Sequence, residues 1–276
     1  MKKTTYSIQT VYDKGSHEVN EDEILVKGNL YAVFDGSGLS KFQAEKGQTG
    51  GKLTALKAKQ ALSKNRGSLK QMAIEANEKI GEMLEKQRKK INSPEGYCAT
   101  AAAAVRLSEN KIEVMNIADS LVLAIYQDGN YNLLTPFIDH DNHAMNTLKA
   151  KIVSGAINIT EAMEKEKQMI RQNANKTYGS LNGTKEAEKF IYSRTYSLEK
   201  IKSIILFTDG LLIPKEDPNS AEDWKSFVEI YKKYGLKGLA EHVRKIEETD
   251  PLCTKYPRWK KHDDITGIGI DFEEYK

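Results

Sequence analysis

The sequence predicts an α+β fold of stacked layers, and three observations predict it. Strand-like apolar runs are joined by short connections, at Gly28-Asn29, Glu109-Asn110 and Asp128-Gly129; connections that short join only antiparallel neighbours, because parallel strands need a long crossover. Two proline-free stretches, 41–63 and 68–91, carry apolar residues at three- and four-residue spacing, the pattern of helices with one buried face. Strands therefore come in hairpins and helices in pairs, where a doubly wound α/β sheet would alternate them. With 276 residues, no internal repeat and no low-complexity linker, the chain reads as one domain, 1–276, with a sizeable core.

The elements follow in order. Residues 6–12 alternate as a half-buried strand does. Residues 23–27 and 30–34 flank Gly28-Asn29 as the arms of a two-residue hairpin. After the two helices, 99–107, 112–117, 121–126 and 131–134 form a second strand group. Residues 139–175 turn polar and helical, with Thr160 placed to cap the run EAMEKEKQMI. Beyond the Gly/Asn-rich YGSLNG come a buried strand at 201–207, helices around 221–234 and 236–248, and a last strand at 265–272.

Composition excludes several classes of function. Lys and Arg number 42 against 39 Asp and Glu, a net charge of +3, too slight for a nucleic-acid partner. The basic run KQRKKIN, 86–92, reads as the solvated end of a helix. Cys98 and Cys253 lack CxxC spacing, so neither a zinc site nor a disulfide framework is indicated, and both read as small buried apolar residues. No apolar stretch approaches the roughly 20 residues of a membrane span, and MKKTTYSIQT lacks the apolar core of a signal peptide. A cytoplasmic protein without a membrane partner is expected, which makes the Asn-x-Thr triplets at Asn158, Asn175 and Asn182 chance matches.

The acidic residues need a different explanation. If Lys27 pairs with Leu30 across the hairpin, Asp22 falls opposite Asp35 and Glu21 opposite Gly36. Facing residues of an antiparallel pair have Cβ atoms roughly 4.5 to 5.5 Å apart, so two carboxylates there repel unless a cation lies between them. The strand that ends in Asp35-Gly36 has a counterpart ending in Asp209-Gly210. Asp263-Asp264 stands at the entry to ITGIGIDF, and Asp119 at a corner between strands. Asp-Gly is also a common turn dipeptide, and Asp128-Gly129 reads as nothing more. If the others converge, they form an all-oxygen site of the kind that Mg²⁺ and Mn²⁺ prefer.

VNEDE around Glu21-Asp22, VFDGSG around Asp35, CATAAAAV around Thr100, NIADS around Asp119, LFTDGLL around Asp209 and DDIT around Asp263 together resemble the ordered motif set of the metal-dependent Ser/Thr protein phosphatases, the type 2C family. The likeness spans about 20–270, and the passage 136–200 is similar to the flap region of bacterial members. The resemblance implies a four-layer αββα sandwich, two central antiparallel sheets flanked by helices, with a centre of two Mn²⁺ or Mg²⁺ ions. It implies that Asp35 bridges both ions, that the Gly36 carbonyl binds one, that Asp209 and Asp263 hold the first, and that Glu21, with Asp22 beside it, holds the second. Asp119 corresponds to a ligand of a third ion. Phosphate monoester hydrolysis by a water shared between the ions follows, with Asp35, Asp209 and Asp263 as catalytic ligands and no covalent Ser or Cys intermediate. A phosphoprotein is the implied substrate, a cognate Ser/Thr kinase an implied partner, and a monomer the expected state.

Two positions depart from the family. His17 stands where an arginine usually grips the substrate phosphate, and histidine offers fewer donors and only partial charge near neutrality. The substrate phosphate is then held by His17, by Lys14 or from elsewhere. Ser37 replaces a histidine of eukaryotic members, as in bacterial ones. His140, His143 and His262 are read as structural or surface residues. The alternative function is a catalytically weak or inactive regulator that binds phosphoproteins. A third reading, a hydrolase of small phosphate esters or nucleotides, lacks a GxxxxGK[ST] phosphate loop to support it.

Overall fold

The computed structural model describes residues 5–38, 48–88, 98–155 and 159–273. Within them ten strands form two five-stranded sheets in which every pairing is antiparallel. The first runs in the order β1 (Tyr6–Asp13), β10 (Ile265–Phe272), β9 (Ile201–Phe207), β6 (Leu121–Tyr126), β7 (Tyr131–Leu133). The second runs β2 (Glu23–Lys27), β3 (Leu30–Ser37), β4 (Ala99–Leu107), β5 (Lys111–Ile117), β8 (Tyr192–Ser197).

The apolar runs are continuous because both faces of the central strands are covered. Tyr31 and Val33 of β3, Ala103 and Val105 of β4, Ile204 and Leu206 of β9, and Ile268 of β10 fill the space between the sheets. The alternate residues Leu30, Ala32 and Phe34 pack instead against α1 (Gly50–Leu62) and α2 (Leu69–Arg88). The alanines of β4 at 102 and 104 face Ala55, Ala58 and Ala61 of α1 in that core, so small residues on both surfaces let helix and sheet approach closely. On the far side Ile205 and Phe207 meet Phe227, Leu239 and Val243 of α5 (Trp224–Glu248). The layers are therefore helices, sheet, sheet, helix, the predicted sandwich.

The hairpin register is as deduced, Lys27 opposite Leu30 through Glu23 opposite Phe34, with Gly28 supplying the positive φ of 60° that such a turn requires. The two helices read at 221–234 and 236–248 are one run broken at Gly235, whose φ of 69° and ψ of −169° are not helical. Four expectations shift. The first helix begins after Thr49, whose side chain accepts from the Lys52 amide at 3.2 Å, and the expected part at 41–47 lies outside the described residues. The polar region divides into α3 (Asn142–Val153) and α4 (Ile159–Asn173), so Thr160 sits within the first turn of α4 and not before it. Strand β8 was absent from the sequence reading, because YSRTYS is a polar edge strand with no buried stripe to mark it. Cys98 is buried as expected, but Cys253 is only half-buried, in a turn at φ 56°.

Asn175 and Asn182 are buried and joined by a 2.9 Å hydrogen bond, which agrees with the chance reading of two triplets; Asn158 lies outside the described residues. The basic run is described only as far as Arg88, the last residue of α2. Among the described residues no helix is long and apolar enough to cross a membrane.

Candidate metal centre

Six acidic residues line one cleft of about 240 Å³: Glu21, Asp35, Asp119, Asp209 and Asp263 at the ends of strands, and Asp141 just before α3 (Asn142–Val153). Gly36 lines it as well. Asp35 is the last carboxylate of β3, opposite Ala101, and its backbone carbonyl accepts from Thr100 Oγ1 at 2.8 Å. Asp209 opens a single 3-10 turn directly after β9. Asp119 sits at the β5–β6 corner, next to Ala118, whose φ of 65° is a strained conformation for a residue with a side chain.

Close backbone packing holds these groups together. A Cβ on Gly36 would lie 2.3 Å from the Gly51 carbonyl oxygen and 2.7 Å from that of Glu21, so the first turn of α1, the Glu21 segment and the end of β3 meet only because residue 36 has no side chain. Glu21 thus lies beside Gly36, where the extended register puts it, although the paired ladder stops at Glu23. Asp264 does not line the cleft. It is buried, and its Oδ1 accepts from the Gly15 amide at 2.7 Å and its Oδ2 from the Glu21 amide at 2.8 Å, fixing the segment that presents Glu21.

Asp22 is also buried outside the cleft lining. Its Oδ2 accepts from Thr208 Oγ1 at 2.8 Å, so it joins the start of β2 to the residue before Asp209. Its neighbour Glu23 forms ion pairs with Lys52 at 2.6 Å and Lys59 at 2.7 Å on α1.

The cleft is electrostatically strained. Burial, then repulsion from Asp22, Asp119 and Asp263, pushes the Asp35 carboxyl well above the usual range. Asp209 is raised for the same reasons, burial first and then Asp35, Asp263 and Asp119. Glu21 is raised mainly by burial. Clustered carboxylates that resist ionisation because they crowd one another are what a cation of high charge density relieves. The donors are all oxygens, which suits Mg²⁺ or Mn²⁺ and not a soft metal. Among the described residues no three His, Cys, Asp or Glu side chains are drawn into a closed coordination sphere.

One cation already lies in their field. Lys260 Nζ is 2.6 Å from Asp263 Oδ1. Burial would lower its pKa, but Asp263, then Asp35 and Asp264, outweigh that and raise it. The sequence reading missed this residue, and its only signal was a Lys-Lys pair shortly before Asp263.

The histidines divide. His17 lines the cleft at its exposed rim, where partial desolvation and then the charge of Lys260 lower its pKa. His140, expected to be structural or superficial, lines the cleft instead. It stacks on Tyr178 with ring centres 4.1 Å apart, and its Nε2 is 3.6 Å from Asp119 and 3.7 Å from Asp141. Burial opposes its protonation, but the two carboxylates prevail and its pKa is raised. His262 is structural, held by Glu247 at 2.8 Å and Glu248 at 2.9 Å; His143 is on the surface. Lys14 is away from the cleft lining, with Nζ 3.4 Å from the Glu18 carbonyl oxygen.

Comparison with known proteins agrees with this geometry. Residues 14–246 match the family model for protein phosphatase 2C. Comparison with curated proteins gives no match. Among solved structures, the chain is similar to the catalytic domain of the serine/threonine protein phosphatase PstP in complex with two manganese ions (TM-score 0.59, 18% identity, 98% of this chain and 99% of that one). It is similar to a bacterial serine phosphatase (TM-score 0.62, 15% identity, 99% and 100%). A third likeness is to the phosphatase MsPP from Mycobacterium smegmatis in complex with cacodylate (TM-score 0.56, 21% identity, 97% and 98%).

Proposed function

Since the chain belongs to the protein phosphatase 2C family, we propose that it removes phosphate from phosphoserine and phosphothreonine of proteins, using two Mn²⁺ or Mg²⁺ ions. The observation that carries this reading is the convergence of Glu21, Asp35, Asp209 and Asp263, from four separate parts of the chain, on one cleft where they crowd one another. When bound, two such ions lower the pKa of a shared water and neutralise phosphoryl oxygens.

The chain's own residues do the rest. Asp35, Asp209 and Asp263 would hold the first ion, Asp35 and Glu21 the second, and the Gly36 carbonyl one of the two. Asp22 supports the centre from behind, through Thr208. Asp119, with His140 beside it, would hold a third ion. Nothing here calls for a covalent intermediate, and Cys98 is fully buried. Residues 1–276 act as one catalytic domain, in which the region 136–200 is a flap that contacts the substrate protein. Its helix α4 lends Lys167, Ile170 and Arg171 to the cleft wall, in keeping with that role.

One observation favours the rival reading, a phosphoprotein-binding regulator of little activity: His17, its pKa lowered, stands where an arginine would grip phosphate. Incubation with a phosphothreonine peptide and Mn²⁺ distinguishes them. The proposed function expects release of inorganic phosphate that chelation abolishes; binding of the peptide by metal-loaded protein without release would establish the regulator.

A further inference from the structure

We propose that Lys260 is the residue that binds the substrate phosphate, and that it does so by exchanging Asp263 for the phosphate once divalent ions occupy the cleft. The proposal rests on the metal-dependent phosphatase reading and adds a residue to it. A phosphate monoester is a dianion near neutrality and needs a charged donor in the cleft. The pKa of His17 is lowered by partial desolvation and by Lys260 itself, and Lys14 is not among the cleft-lining residues. On α4, Arg171 lines the cleft but makes no ion pair with its carboxylates among the described residues, and Lys167 is engaged elsewhere: its Nζ lies 5.5 Å from the centre of the Trp259 ring and 3.2 Å from Glu164 Oε1.

Lys260, by contrast, is inside the acidic cluster, lining the cleft with its Nζ 2.6 Å from Asp263 Oδ1. Its backbone is held on both sides. Arg258 donates Nη1 to Asp250 Oδ2 at 2.9 Å and Nε to the Lys261 carbonyl at 3.0 Å. Trp259 donates its indole Nε1 to Asp141 Oδ2 at 2.6 Å. The segment is thus anchored while the four-carbon stem of Lys260 keeps its freedom.

The exchange follows from charge. Without divalent ions, the ammonium is the counter-ion of Asp263 and tempers the repulsion felt by Asp35 and Glu21. Divalent ions on those carboxylates remove that attraction and repel the ammonium. The flexible side chain is then released toward the open cleft, where an anion arrives. Lys260 accordingly competes with the metal and cooperates with phosphate.

The test compares Lys260→Met, Lys260→Arg and Lys167→Met with the unaltered protein, each verified as folded by its thermal transition. Calorimetry gives the Mn²⁺ affinity without phosphate, then the affinity of the Mn²⁺-loaded protein for inorganic phosphate; KM and kcat are measured with a phosphothreonine peptide. Lys260→Met is expected to bind Mn²⁺ about tenfold more tightly and phosphate about tenfold to a hundredfold more weakly, as loss of one charge-assisted hydrogen bond implies. KM should rise, Lys260→Arg should retain most of the phosphate affinity, and Lys167→Met should lose less phosphate affinity than Lys260→Met. Unchanged phosphate affinity in Lys260→Met, weaker Mn²⁺ binding in it, or a larger phosphate loss in Lys167→Met would each overturn the assignment. Absence of turnover by the Mn²⁺-loaded unaltered protein defeats the phosphatase reading instead, and the phosphate calorimetry still decides the role of Lys260.

Discussion

Asp250→Asn should weaken the fold by an amount that depends on pH in a calculable way. Asp250 is buried near the start of the segment that delivers Trp259, Lys260 and Asp263. Its Oδ1 accepts from the Thr254 amide at 2.9 Å, and its Oδ2 from the Tyr256 amide at 2.9 Å, the Lys255 amide at 3.2 Å and Arg258 Nη1 at 2.9 Å. Burial would raise its pKa, but the three amides and Arg258 outweigh it and hold the carboxyl at about 2, against an ordinary 3.8. A folded-state pKa below the unfolded one stabilises above the unfolded value, and the contribution is lost as pH falls through the folded one. The shift corresponds to about 2 kcal/mol at neutral pH. Asparagine turns an NH₂ group toward donors that lose their acceptor, so the variant should melt about 4 to 8 °C lower at pH 7 in a chain of this size. Thermal melts of the metal-free proteins at pH 7, 4 and 3 provide the assay, and the two curves should converge as pH falls from 4 toward 2. A gap that stays constant over that range, or none at pH 7, would refute the electrostatic account of this anchor.

Three further outcomes are expected. Gly36→Ala forces a Cβ against two backbone carbonyls, at 2.3 and 2.7 Å, and should cost about 1 to 3 kcal/mol in urea denaturation, with weaker Mn²⁺ binding by calorimetry. Thr208→Val removes the donor to Asp22 and leaves a buried carboxyl without it, which should cost about 1 to 3 kcal/mol in the same assay. Because Asp35 and Asp209 have raised pKa values, the metal-free protein should lose stability as pH rises from about 4 through those values. Mn²⁺ binding should release protons over the same interval, seen as calorimetric heats that vary with the ionisation enthalpy of the buffer; buffer-independent heats would contradict the crowding argument.

How far the sequence foretold this molecule varies by element. The hairpin about Gly28-Asn29 was legible to the residue, because a two-residue turn leaves no freedom of register, and the register alone brought Glu21 next to Gly36. The break at Gly235 was legible for a similar local reason. Strand β8 was not, since an edge strand needs no apolar stripe and its identity comes from pairing with β5. The acidic residues of the cleft could be named from their positions at strand ends, but their division of labour could not. Asp22 turns out to brace Thr208 and Asp264 to orient Glu21, roles set by hydrogen bonds between distant segments. Lys260 and His140 were invisible as site residues for the same reason: a lysine in KK or a histidine in DHD has no local feature that says which way it faces.

The central claim, that the acidic cleft is built to hold divalent ions, is tested most directly by anomalous diffraction from crystals soaked in Mn²⁺. The account predicts two strong peaks in the cleft, both in contact with Asp35, with Glu21, Asp209 and Asp263 among the remaining ligands. Saturated crystals with no peak there, or with manganese only at other carboxylates, would contradict it.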